Sequence, residues 1–291
     1  MKKNLAKIIS VFMMLVLAMS LVACGSKSSS SGSSNTKLEE LSAEELLKKV
    51  SDAAKDIRGV SATGNLGAKI SVSGQEMEAS AKFEVKSNSE PVQSYVKTDA
   101  DINLMGQEQK MTVECYQIYG EDTVETYTNV LDKWTYDFVD LSEEDFDMEE
   151  IMEIFKDVDF SAVGEYFDKI EVKTSGNNYN LEVKLSSTGL IEKIENSIFS
   201  SVLDDVDTSV IPDTVINLTF VVDGKTFLPK SMSLGIDMES IESDGLEIEL
   251  SDFVFDVKFN SFDSVEITVP DEALEAKENG IDSSAIKDLF E

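Results

Sequence analysis

Histidine is absent from all 291 residues of this chain. That removes Ser-His-Asp and Cys-His catalytic sets, whose base is an imidazole, and any zinc site built on histidine. Phosphate-cradling loops are missing too. No G-x-x-x-x-G-K-[ST] and no G-x-G-x-x-G run occurs, and there is no G-x-S-x-G nucleophile elbow. Cationic residues are scarce: 25 Lys and Arg stand against 57 Asp and Glu, for a formal net charge of -32. Such a surface repels a phosphate backbone, so nucleic acid is excluded as a partner, and flat docking on anionic lipid is disfavoured. Solubility is the simplest account of the charge. Carboxylates are so abundant that two near each other carry no information, and no identifiable acid pair marks a glycosidase. The chain is expected not to be an enzyme and to need no cofactor and no metal.

Long apolar runs are also lacking. The longest, Ile8 to Val22, is interrupted by Ser10 and Ser20 and falls short of the ~20 residues that a spanning helix needs. It follows a basic start, Met1-Lys2-Lys3 with Lys7, and leads into Leu21-Val22-Ala23-Cys24-Gly25. That layout reads as a secretory signal peptide over residues 1–23; a retained membrane anchor is the alternative. A cysteine directly after small Ala23 resembles the lipobox of bacterial lipoproteins. The resemblance implies cleavage between Ala23 and Cys24, a diacylglycerol on the Cys24 thiol, and residence on the outer face of the cytoplasmic membrane. Two hydrocarbon tails suffice for stable anchoring, where a single chain is marginal. With Cys24 so consumed, Cys115 is the one cysteine left and no intramolecular disulfide is available. It shares an alternating face with Met111 and Val113, which favours a buried small hydrophobe over a reactive thiol.

What is present is order in the apolar residues, which make up 42% of the chain and argue against disorder despite the charge. Residues 24–37 are rich in Ser and Gly and form a tether. Ser42 and Glu45 have the spacing of a capping box, and Leu47, Val50, Ala54 and Ile57 follow at helical intervals up to Gly59. From Val60 to Val139 the period is two. Met77, Ala79, Ala81, Phe83 and Val85 alternate with charged or hydroxyl residues, as in antiparallel strands with one wet face. An echo, Ile70 to Glu76 against Ile102 to Glu108, puts Gly74-Gln75 and Gly106-Gln107 at equivalent hairpin turns. Strands near Val124–Tyr127 and Lys133–Phe138 follow.

Residues 143–159 are acidic, and Ile151, Ile154, Phe155 and Val158 make a helical stripe there. Asp145, Asp147 and Glu149 have the alternating spacing of a calcium loop. Glu150 and Lys156 stand where such a loop needs Gly and Glu, so a solvated helix face is the better reading. A short helical piece is expected through Val163, Tyr166 and Phe167. Strands then span Lys169–Thr174 and Tyr179–Ser187, and a helix carries Ile191, Ile194 and Ile198. Asp223-Gly224 reads as a tight hairpin joining Val215–Val222 to Thr226–Asp237. Leu246–Phe259 and Val265–Val269 are the last strands, before a tail of weak helical character. Trp134, Tyr136 and Phe138 share one strand face and are candidates to line a ligand cavity, or to form ordinary core under the first helix.

The lipobox, the Ser-rich tether, Ser42–Lys49 leading into Val60–Gly64, the Gly-Gln-Glu hairpins, Asp132-Lys133-Trp134 and Val265–Leu274 together resemble uncharacterised lipoproteins of clostridial-type Gram-positive bacteria. That group looks like the LolA-type carriers and the LppX/LprG lipoproteins. The resemblance implies an α+β fold, a large curved antiparallel half-barrel with helices over its concave face, in one domain spanning 38–291. It implies a membrane-anchored protein that holds a lipid or other hydrophobic ligand between sheet and helices. A cell-surface interaction or structural protein, or an accessory regulator of an envelope complex, is the alternative.

Overall fold

The computed structural model describes residues 38–55, 57–104, 106–140, 168–189, 214–238, 240–243 and 246–285. The expectations for Ala23, Cys24 and the tether, for the acidic stretch 143–159, for 163–167 and for the helix through Ile191 and Ile198 lie outside them. In chain order the elements are α1 (Ala43–Ala54), β1 (Gly59–Val72), β2 (Gln75–Ser89), β3 (Val92–Leu104), β4 (Gln107–Tyr119), β5 (Thr123–Val130), β6 (Lys133–Asp140), β7 (Lys169–Ser175), β8 (Asn178–Ser186), β9 (Thr214–Asp223), β10 (Pro229–Met238), β11 (Ile241–Ser243), β12 (Leu246–Ser261) and α2 (Asp271–Asn279). The fold is α+β and built on antiparallel sheet, as the alternating sequence predicts.

Two compact units divide the chain: Met1–Ile57 with Glu149–Phe253, and Arg58–Met148 with Val254–Glu291. In the first, the strand order is β12-β10-β9-β8-β7, and β11 pairs with β12. Its core is the inward face of β8, Tyr179, Leu181, Val183 and Leu185, with Phe220, Val222, Met232 and Leu234 from the next two strands. α1 starts where the capping box requires. The Glu45 N–H donates to Ser42 Oγ at 3.1 Å, and the Ser42 N–H donates to Glu45 Oε2 at 2.8 Å. Such a cap is worth about 1 kcal/mol. It launches Leu46, which is fully buried, and Lys49, whose ammonium lies 4.9 Å over the Phe227 ring.

The Asp223-Gly224 doublet does not make the tight turn its sequence predicts. β10 starts only at Pro229, so residues 224–228 form a longer loop. The Asp223 carboxylate accepts the N–H groups of Lys225 and Thr226 at 2.9 and 3.0 Å and pairs with Lys230 at 2.8 Å. Phe227, at φ 57°, takes the left-handed position and stacks on Tyr179 at 6.0 Å. The aspartate side chain supplies the acceptors that a two-residue turn would have taken from backbone. Gly224 is held separately, its N–H donating to Asn177 O at 2.8 Å.

In the second unit the order is β6-β5-β4-β3-β2-β1-β12. The echoed hairpins are real. Ser73 and Gly74 have φ 51° and 81°, the doubly positive signature of a turn that follows the strand twist. They set a register running from Val72↔Gln75 to Gly59↔Asn88. At the second hairpin Gly106 has φ 84° and donates its N–H to Asn103 Oδ1 at 2.9 Å. Leu131 and Asp132 make the β5–β6 turn with φ 52° and 62°, without glycine.

Val265–Val269, expected as a strand, is an extended segment outside any ladder. β1 and β2 each already have a strand on both sides, so no edge is open to it. Asn88 substitutes for a strand: its amide donates to Val265 O at 2.7 Å and accepts from Val265 N at 2.9 Å. The tail beyond it is firmer than its sequence predicts. Pro270 precedes α2, Gly280 closes it at φ 64°, and Ala273 and Ala276 are buried. The strand α2 packs against is β6. So the helix over the Trp134–Phe138 strand is the C-terminal one. Among the described residues, no helix is long and apolar enough to cross a membrane.

Candidate functional site

The register of the Arg58–Met148 unit sorts its side chains onto two faces with different chemistry. Directly opposed residues in antiparallel strands point the same way. One face therefore collects Ala62, Val85, Val96 and Cys115, which are successive partners across β1 to β4. Further along it lie Leu66 with Ala81 and Ala100, and Ile70 with Met77. Every residue just named is apolar or a thiol. Phe83 of this face stacks on Phe255 of β12 at 5.6 Å. Yet the cover is incomplete: Leu66 is 40% exposed and Val96 37%. Cys115 is a free, half-buried thiol that accepts a weak bond from Thr128 Oγ1 at 4.0 Å. Burial pushes its pKa up, so it has neither the thiolate nor the exposure of a reactive cysteine.

The other face carries a row that no single strand reveals. Lys86, Tyr95, Tyr116, Tyr127 and Tyr136 are opposed in turn across β2, β3, β4, β5 and β6. Ring centroids are 4.7 Å apart for Tyr95 and Tyr116 and 5.2 Å apart for Tyr127 and Tyr136. Both pairs are tilted, a favoured aromatic arrangement worth ~1 kcal/mol beyond burial. A lysine ends the row at each side. Lys86 Nζ sits 5.1 Å over the Tyr95 ring and Lys277 Nζ 5.2 Å over the Tyr136 ring. Lys277, on α2, also clamps Glu125, with Nζ to Oε2 at 2.7 Å, and Tyr127 O–H donates to the same carboxylate at 2.6 Å. Burial works to raise the Glu125 pKa, but those two hydrogen bonds outweigh it and hold the carboxyl low. The Tyr127 hydroxyl is pushed up to about 12, by burial first and then by its bond to Glu125. Burial likewise raises Tyr95 and Tyr116.

At the Lys86 end the row is not roofed by α2. A concavity of about 440 Å³ opens there, lined by Lys86, Tyr95, Tyr116, Glu266, Ile267 and Thr268. Its far wall is the extended segment that Asn88 holds.

The three aromatic candidates lie on this tyrosine face, opposite to Met77–Val85, because Thr135, not Trp134 or Tyr136, shares a row with Val85 through Val96, Cys115 and Thr128. Trp134 leans on Tyr116 at 6.0 Å. Tyr136 belongs to the row itself. Phe138 is 52% exposed, across from Glu125. Tyr95, Tyr116 and Lys86 were not singled out by sequence reading. The signal was available: Tyr95 and Tyr116 are equidistant from the Gly106 turn, and Tyr127 and Tyr136 from the Leu131-Asp132 turn. Among the described residues no group of three acidic or cysteine side chains is placed to hold a metal ion.

Three solved structures are similar at low identity. A beta-barrel-like protein of domain of unknown function DUF1849 from Brucella abortus is 9% identical, with a TM-score of 0.27 over 72% of this chain and 100% of that one. Rv2717c from M. tuberculosis is 9% identical, with a TM-score of 0.22 over 76% and 99%. A DUF1329 family protein from Desulfovibrio piger is 10% identical, with a TM-score of 0.24 over 81% and 96%. No curated protein matches. The model of a family of unknown function, DUF6612, matches residues 42–278, from the capping box of α1 to the end of α2, and the chain belongs to that family.

Proposed function

We propose that this protein is a lipid-anchored binding module, not an enzyme, that holds a lipid or other hydrophobic ligand at the outer face of the cytoplasmic membrane. The observation that supports this reading is the half-covered apolar face of β1 to β4. Burying one Leu or Val side chain is worth about 1.5–3 kcal/mol. A contiguous apolar face that leaves Leu66 and Val96 in water has that stabilisation still to gain from an apolar occupant. The lipobox at Cys24 and the resemblance to LolA-type and LppX/LprG lipoproteins point the same way: diacylated Cys24 would hold such a face beside its ligand supply.

Two measurements test the reading. A fluorescent fatty acid should bind saturably, and Val96→Asp, which puts a carboxylate in the middle of the face, should weaken binding tenfold or more. Native mass spectrometry after gentle extraction should find lipid on the unaltered chain. No bound lipid together with no fatty-acid binding sinks the proposal. Anchoring is checked separately by incorporation of labelled palmitate, which Cys24→Ser should abolish. A second reading, a non-enzymatic surface interaction protein or accessory of an envelope complex, draws on exposed Phe138 and Val139 of β6; capture of one partner from membranes, lost in Phe138→Ser, would favour it.

A further inference from the structure

The concavity at the Lys86 end of the tyrosine row lies on the face opposite to the apolar one, so it is independent of the hydrophobic-ligand reading. We propose that it takes a neutral carbohydrate ring. At about 440 Å³ it falls within the range of small-molecule sites, ~300–1,000 Å³. Its lining mixes two kinds of surface. Tyr116 supplies aromatic surface and Ile267 an aliphatic contact, while Tyr95, 8% exposed, is covered by Lys86 and Tyr116. Lys86, Glu266, Thr268 and the tyrosine hydroxyls bring donors and acceptors. A purely apolar ligand would take those polar groups out of water, at ~1–3 kcal/mol for each one left without a partner. The occupant is therefore polar at its edge and apolar on a face, as a pyranose is.

Charge selects among polar ligands. The cation position over Tyr95 is already filled by Lys86 Nζ at 5.1 Å, so a quaternary ammonium meets a like charge instead of an open ring. An anion meets Glu266 in the wall and Glu84, which pairs with Lys86 at 2.9 Å, within a chain of net charge -32. What remains is a neutral ligand that hydrogen-bonds around its rim and lays an apolar face on tyrosine.

The chain carries its own reporter. Its single tryptophan, Trp134, has its ring 6.0 Å from that of Tyr116. The full chain is titrated with glucose, galactose, mannose and N-acetylglucosamine, and in parallel with choline and glucose 6-phosphate, reading Trp134 emission and saturation-transfer NMR. The expected result is a saturable response to at least one neutral sugar, tighter than for either charged probe. Tyr116→Ala should weaken it tenfold or more. If that variant does not fold, Lys86→Met, a partly exposed site, should weaken it at least threefold. No saturable response to any of the four sugars, or tighter binding of choline or of the sugar phosphate, overturns the proposal, and fatty-acid binding on the other face is unaffected by either outcome.

Discussion

At the scale of single residues, Tyr127 shows how position decides chemistry. It is 2% exposed and donates to Glu125, which Lys277 also holds. The folded protein therefore keeps the phenol protonated to about pH 12, against an ordinary value of 10. A group whose folded pKa is raised contributes stability that is present below its unfolded pKa and lost as pH rises through the folded one. Unfolding should therefore become easier between pH 10 and about 12, with tyrosinate absorbance appearing together with loss of structure. Tyr127→Phe keeps the tilted ring contact with Tyr136 and removes that titration, so its stability should fall less steeply over the same window, in denaturant melts at a series of pH values. An equal slope in both proteins would show that Tyr127 does not govern alkaline stability. Asp223 is the acidic counterpart: burial acts to raise its pKa, but hydrogen bonds from Lys230, Thr226 and Lys225 outweigh it and hold the carboxyl far below the usual range.

At the scale of elements, two glycines in the same hairpin ask for glycine for different reasons. Gly74, at φ 81°, has nothing within 4 Å of where a Cβ would stand. Gly74→Ala is expected to cost about 1–2 kcal/mol, all of it backbone strain. Gly64 has an ordinary φ, but a Cβ there would sit 2.2 Å from the Phe83 ring and 2.4 Å from Asp256 O. Gly64→Ala must displace the Phe83–Phe255 stack or β12, so it should cost clearly more, ~3 kcal/mol, the upper end of the usual range for overpacking. Urea melts of the two variants decide the order; a larger loss at Gly74 would contradict the packing account. Sequence pattern read these elements well where the signal was local. The capping box, the Gly74 and Gly106 turns and the period-two runs of β1 to β4 depend on neighbours within a few positions. Asp223-Gly224 and Val265–Val269 were misread because their outcome depended on distant partners: Lys230 and Asn177 in one case, Asn88 and neighbouring strands already paired on both sides in the other.

At the scale of the whole molecule, charge dominates. Among the described residues the ion pairs lie largely at the surface, as in the single pair Lys110–Asp101 and the run Lys169–Glu171–Lys173–Glu182, and contribute ~0–1 kcal/mol each. Self-repulsion of a net charge of -32 acts over the entire surface and is screened by salt within ~10 Å at 0.1 M. Raising the ionic strength should therefore raise the melting temperature, by several degrees between low salt and half-molar sodium chloride. A falling melting temperature would mean that the ion pairs outweigh the repulsion.

The sequence by itself determined the exclusion of histidine chemistry, the α+β class, and the first helix with its cap, because each rests on composition or on residues close in the chain. Tertiary structure alone decided that the apolar run Met77–Val85 and the aromatics Trp134 and Tyr136 face opposite ways, and that four tyrosines from four strands make one row beside a concavity. The reason is register: a shift of one residue moves a whole strand's side chains to the other face, and that register comes from turns and partners which no strand carries within itself.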